Sequence, residues 1–274
     1  MNRRVHMRVR VVLAALGALV ASGDAAADGV SGRDVFLKQE AARNIRELTA
    51  DASITTASPG AEAKIKTFTW WRKLTADSVH FRTLTRFHLP AEIRNEGILI
   101  EERNQNDNDV QMYLPAYKKV RRVEGQSQSS SFMGTVFSYS DIASPHVDDY
   151  KHKLLRSEPC PGDTKIACYV LELLPAGDVV RERTGYSKSI EWVRSDNFVA
   201  VQGEFYDVSG TLWKRLTASE IREVDTTTHK WLAHETRIVD VKTNRASTFR
   251  FAGVKVGSGI PDSTFTVQNL SREQ

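Results

Sequence analysis

The chain has 274 residues, 41% of them hydrophobic and 26% charged, with a mean hydropathy of −0.38, a composition that suits a folded globular body and excludes a disordered one. Its formal charge is +4, but residues 1–27 carry four of the 38 Lys and Arg and one of the 34 Asp and Glu, leaving 34 basic groups against 33 acidic ones, a net of +1. So neutral a body argues against a nucleic-acid binder, whose affinity comes mostly from neutralising phosphates.

The first residues read as an export signal. Arg3, Arg4, Arg8 and Arg10 form a basic start, Val11 to Ala21 an apolar run too short to span a bilayer, and Ala25 to Ala27 a small-residue cleavage site. Cleavage after Ala27 leaves residues 28–274 as one domain outside the cytoplasm, and with no cysteine near the cut a lipid anchor is not expected. From Ser31 a helix is expected: Ser31 with Asp34 matches a capping box, and Leu37, Ala41, Ile45 and Leu48 share one face.

From Ala52 the pattern turns to strands, expected over Ser53–Ala57, Lys64–Leu74, Ser78–Leu89, Gly97–Asn104, Val110–Leu114, Lys119–Glu124, Asp149–Ser157, Ile166–Leu174, Lys188–Arg194, Val199–Asp207, Thr211–Ile221, Trp231–Val241 and Thr248–Val256. Turn residues separate them at short intervals, which predicts an antiparallel barrel or sandwich. In Ser78–Leu89, Phe81 and Phe87 alternate with Arg82, Arg86 and His88, so one face of that strand is expected to be wet; Phe68 and Trp70 point away from Trp71, so both faces there can be covered.

The middle of the chain is the most distinctive part. Val110, Met112 and Leu114 alternate as on a half-buried strand that Pro115 ends or places at an edge. A basic patch follows at Lys118, Lys119, Arg121 and Arg122, then a Ser/Gln run, then Phe132, Met133 and Phe137 around Gly134, which together read as an apolar flap with a flexible glycine. The patch reads as a solvated strand face, or as a contact for anionic headgroups or an acidic partner. Cys160 and Cys168, the two cysteines, lie across Pro161-Gly162-Asp163 and are expected to form a disulfide in an oxidising compartment. Ile260, Phe265, Val267 and Leu270 are expected to cap one end of the barrel.

The runs MYLPAYKKVRRV from Met112 and SFMGTVFSYSDI from Ser131, supported by CYVLELLPAG, FYDVSGTLWKRL and IPDSTFTVQNL, resemble the outer-membrane lipoprotein-sorting family, a LolA-like group of exported bacterial proteins often associated with RND-type exporters. The resemblance implies a mainly β fold: a half-open antiparallel β-barrel covered by an N-terminal helix and short helical plugs, with an apolar cavity for acyl chains. It also implies a soluble periplasmic location, apolar or acylated cargo (lipoprotein or lipid), an RND-type envelope transporter as partner, and transient membrane contact.

No Gly-x-Ser-x-Gly elbow, Ser-x-x-Lys, His-Glu-x-x-His or phosphate-binding glycine loop is present. His146, Asp148, Asp149 and His152 are close in sequence but fit no standard zinc or calcium spacing, and Asp141 reads as a helix or turn cap. The sequence therefore points to a carrier without metal, cofactor or catalytic set, its cavity or gate formed by Phe81, Phe87, Val110, Met112, Leu114, Phe132, Met133, Gly134 and Phe137. The rival readings are a filled barrel that docks through the basic patch and a lipid hydrolase.

Overall fold

The computed structural model describes residues 29–103 and 107–272; the export signal expected at residues 1–27 lies outside them. The chain begins with α1 (Gly32–Arg43) and continues as β1 (Glu47–Ser58), β2 (Ala61–Leu74), β3 (Phe81–Leu89), β4 (Gly97–Glu101), β5 (Asp109–Leu114) and β6 (Lys119–Val123). A non-strand segment, residues 124–149, carries three short 3-10 turns and α2 (Tyr139–Ile142). Then come β7 (Tyr150–Cys160), β8 (Asp163–Pro175), α3 (Asp178–Thr184), β9 (Tyr186–Arg194), β10 (Ala200–Asp207), β11 (Leu212–Asp225), β12 (Lys230–Asp240), β13 (Arg245–Val256) and α4 (Val267–Leu270).

Among the described residues all thirteen strands join one antiparallel sheet, in the order β6-β5-β4-β3-β2-β1-β13-β12-β11-β10-β9-β8-β7. Two meanders, β1 to β6 and β7 to β13, meet where β1 pairs with β13, with Ile54 opposite Phe249 and Ala52 opposite Phe251. The sheet does not close, so β6 and β7 remain edges and the expected half-open barrel is the observed fold.

The main core lies on the concave face. Ile54, Phe68, Phe87, Ile98, Ile100, Val110 and Phe249 point inward from alternate strand positions, and Phe132, Val136, Phe137 and Tyr139 of the 124–149 segment fill the space between them. That segment is a plug: Phe132 wedges between Phe87 and Tyr139, with ring centroids 6.2 and 5.5 Å away. Burial of such rings, each worth about 1.5–3 kcal/mol, is the main force holding it on the sheet.

Three expectations are corrected. The capping box of Ser31 and Asp34 starts α1, but the buried face is Val35, Phe36, Gln39 and Ala42, not Leu37, Ala41, Ile45 and Leu48. The helix stops at Asn44, so Ile45 and Leu48 belong to the core under β1, while Val35 and Phe36 pack on Leu171, Leu173 and Val193 of β8 and β9. Leu37 is left 42% exposed.

The second correction concerns the far face of β3, which is dry at Leu84 and Arg86 and wet only towards its end, where His88 is exposed. Leu84, Leu99 and Tyr113 form a second core there with Ile260, Phe265 and Leu270, and Arg86 beneath it is only 1% exposed. Its two terminal guanidinium nitrogens donate to the carbonyls of Asn95 and Asn269, at 3.0 and 2.9 Å. It follows that the C-terminal segment covers the outer face of β3 to β5 instead of capping an end of the barrel, with Val267 exposed.

The Cys160–Cys168 disulfide is formed, with Cα atoms 4.8 Å apart, at the turn end of the β7–β8 hairpin. It packs with Val170 and Trp192 on the convex side. α3, between β8 and β9, lies in a stretch where no helix was expected.

Candidate functional site

The two halves of the concave face differ. Under β3 to β5 the plug fills the space, whereas under β9 to β13 side chains are short where rings could have reached: Ala42 on α1, Ala143 on the plug, Ala200 and Gly203 on β10, and Ala233 on β12. Two adjoining cavities result, sharing Gln39, Asp141, Ala143, Ser144, Pro145, Ala200 and Leu216 as common wall.

The outer cavity, about 310 Å³, has an aromatic wall of Trp70, Phe137, Phe249, Phe251 and Trp231. Phe249 organises it, meeting Phe68, Trp70 and Phe137 edge-on at 5.6, 5.5 and 6.1 Å and Phe251 at 4.7 Å. Ala50 and Ala52 on β1, opposite Trp70 and Phe251, leave room for these rings. The inner cavity, about 190 Å³, combines Phe205, Leu216 and Ile238 with Gln39, Asp141, Tyr186 and Glu191. Apolar walls with a few placed polar groups are the usual make-up of a small-molecule site.

The polar groups are ordered. Asp141 forms a capping box with Ser138 at the start of α2, receives the Tyr186 hydroxyl at 2.7 Å and pairs with the Lys214 ammonium at 2.9 Å. Burial and the neighbouring Asp141 carboxylate raise the Tyr186 pKa well above its usual value, so the hydroxyl stays a proton donor. Arg183 and Asp149 form a second buried pair at 2.7 Å. Glu191 receives a hydrogen bond from Gln39 Nε2 at 3.0 Å, and burial raises its pKa.

The plug's far end is held at Glu102, which is almost wholly buried. Its carboxylate accepts the backbone N–H groups of Phe81 and Ser144, at 3.0 and 2.8 Å, and lies 3.4 Å from His146 Nε2 and 3.8 Å from Arg72. His146 also stacks edge-on with His80 at 4.8 Å. No group of three or more His, Cys, Asp or Glu that could hold a metal occurs among the described residues. His146 faces Glu102, Asp149 faces Arg183, and His152 packs 4.7 Å from the Phe36 ring.

Of the residues singled out from sequence, Phe137 stands on the cavity wall. Phe87, Val110 and Phe132 are solid core, Met112 and Met133 pack at its margin, and Leu114 is half-buried. Phe81 is buried beneath the Arg72 guanidinium, 3.6 Å from its ring centre. Gly134 is exposed at the plug's tip, at φ +73 with open space where a Cβ would sit. Lys118, Lys119, Arg121 and Arg122 are exposed along the edge strand β6 and the turn before it, Arg122 lying 3.3 Å from Asp109. Sequence reasoning missed Trp231, Phe249 and Phe251 as a wall, and it missed Gln39 and Glu191. Lys214 falls inside the FYDVSGTLWKRL run, the one signal that could have drawn attention to it.

No helix among the described residues is long and apolar enough to cross a membrane. No curated protein matches the sequence. Among solved structures, the chain is similar to an outer membrane lipoprotein-sorting protein domain from Vibrio parahaemolyticus (TM-score 0.80, 22% identity, covering 88% of this chain and 98% of that one). It is likewise similar to a DUF1329 family protein from Desulfovibrio piger (TM-score 0.80, 25% identity, 87% and 97% covered) and to a LolA superfamily protein from Nitrosomonas europaea (TM-score 0.67, 24% identity, 88% and 99% covered). A family model described as an uncharacterized protein matches residues 80–272. The chain therefore belongs to the family of uncharacterized proteins that this model describes, and it shares its fold with the lipoprotein-sorting domain and the LolA superfamily protein.

Proposed function

We propose that the protein is an exported periplasmic carrier that shields acyl chains or other apolar cargo in the paired cavities under β9 to β13. The observation that carries this reading is the aromatic wall of Trp70, Phe249, Phe251 and Trp231, which faces open space instead of packed side chains. Each CH₂ withdrawn from water there is worth about 0.8 kcal/mol, so enclosure alone suffices for transport through an aqueous compartment. Chemistry is not needed. Asp141 in the wall is engaged structurally by Lys214 and Tyr186, which favours a carrier over a hydrolase.

Cargo comes from, or passes to, an envelope transporter of the RND type, as the family resemblance suggests. The basic strip of Lys118, Lys119, Arg121 and Arg122 on β6 is the surface through which the protein touches that partner or anionic headgroups. An unpaired, exposed edge strand suits such docking, because its backbone groups are free to pair.

Titrating a fluorescent acyl-chain ester into the protein tests the reading, with thermal unfolding followed on the same preparation. Saturable binding is expected, and Ala200→Trp, which fills the wall shared by both cavities, should weaken it at least about tenfold while the protein still unfolds cooperatively. A folded wild type that binds no probe would overturn the carrier and favour the docking module. Intact mass of the envelope fraction should begin at Asp28; a full-length chain retained in the membrane would overturn the soluble form.

A further inference from the structure

We infer that the inner cavity is a head-group site for an amphiphile whose polar end donates hydrogen bonds, an amine or a hydroxyl, while its apolar chain lies along the aromatic wall. The inference rests on the carrier reading and adds the class of cargo. Its basis is the pairing of Gln39 and Glu191, which the sequence separates by 152 positions and the fold joins on the cavity wall.

Gln39 projects from the buried face of α1 and is 6% exposed; Glu191 projects from the concave face of β9 and is 9% exposed. Gln39 Nε2 donates to Glu191 Oε2 at 3.0 Å, which leaves Gln39 Oε1 buried without a hydrogen-bond partner. The opposite amide orientation would set that oxygen against the carboxylate, acceptor facing acceptor. Buried acceptors are seldom left unsatisfied, so one on a residue of an apolar cavity's wall marks a place where a ligand's donor belongs.

The charges around the pair point the same way. Glu191 makes no ion pair among the described residues. The neighbouring cations are engaged elsewhere: Lys214 by Asp141, Arg183 by Asp149, and Lys188 by Glu172 at 3.6 Å. Arg43 donates to the Pro145 carbonyl and lies 3.9 Å from Glu40. A carboxylate or phosphate head entering the inner cavity would meet Glu191 and an amide oxygen with no cation left to it. An ammonium can donate to both acceptors at once and a hydroxyl to one of them, and burial of Glu191, which disfavours its charge more than the Gln39 amide and Arg43 support it, makes a cationic partner more favourable still.

The test is displacement of bound Nile red by dodecylamine, dodecanol and dodecanoate at neutral pH, all below their micellar concentrations. Dodecylamine and dodecanol should displace the dye at concentrations at least about tenfold lower than dodecanoate, the factor that a single well-placed hydrogen bond to a charged group supplies. In Glu191→Gln the advantage of dodecylamine over dodecanoate should shrink to about threefold or less. If that variant does not fold, as judged by thermal unfolding, Gln39→Leu serves in its place and should narrow the advantage of dodecanol. Equal displacement by all three amphiphiles, or an advantage that survives in the folded variant, would overturn the head-group assignment while leaving the carrier intact. Failure of the wild type to bind Nile red would overturn both.

Discussion

Lys214 on β11 sets its ammonium 2.9 Å from the Asp141 carboxylate at the start of α2, and both side chains are nearly buried. The pair ties the plug to the second meander, because Asp141 also holds Tyr186 on β9 and caps its own helix through Ser138. Removing one partner of such a pair strands a charge in the interior, at a cost of about 3–5 kcal/mol. Asp141→Asn and Lys214→Met should each lower the urea midpoint sharply. The double variant should lose less than the sum of the two, and strict additivity would show that the residues act separately.

Phe132 tests whether the plug is structural on the first-meander side. It is fully buried between Phe87 and Tyr139, so Phe132→Ala should cost about 3–5 kcal/mol, read as a lower denaturation midpoint. A loss below about 1 kcal/mol would mean that this part of the plug is not packed as described.

The Cys160–Cys168 bridge closes a short loop at the end of a hairpin. In the chain-entropy account such a loop contributes about 2–3 kcal/mol, and the Cys160→Ser, Cys168→Ser double variant should lose roughly that much. Non-reducing peptide mapping of the wild type should recover the two cysteines in one linked peptide pair.

Glu102 predicts an acid limb in the stability profile. Burial opposes its ionisation, but the His146 ring beside it, Arg72 and the Ser144 N–H outweigh that and hold its pKa below the usual glutamate range. A carboxyl with a depressed folded pKa contributes stability that is fully present above the unfolded value and is lost as pH falls through the folded one. Stability should therefore decline as pH drops below the ordinary glutamate range. Glu102→Gln should be less stable at neutral pH, with a flatter acid limb in denaturation midpoints measured between about pH 3 and pH 7.

Much of the fold was legible from local pattern. Alternation in Val110, Met112 and Leu114, the breaks at Pro115 and Gly162, and the capping box at Ser31 each depend on near neighbours in the chain, and each predicted its element. Thirteen short strands with few helical periods were enough for an antiparallel barrel or sandwich, and the family resemblance implied the half-open form that the sheet takes. What local pattern cannot convey is which face of an element another element will cover. Alternation allowed a wet face on β3, and only the return of the C-terminal segment 183 residues later buried Arg86 beneath Leu270, where the guanidinium meets the Asn269 carbonyl.

The site shows the same division more sharply. Composition and motif established an apolar interior with no nucleophile motif, and they drew attention to Phe132, Met133 and Phe137 because those residues cluster in sequence. Tertiary structure decided that Phe132 fills the first half of the concave face and that open space lies under the second, where Ala143, Ala200 and Ala233 come from three distant segments. A cavity is a property of what fails to meet. Its position depends on side-chain lengths summed across strands that the chain joins only by folding, just as Gln39 and Glu191 become a pair only when α1 lies down on β9.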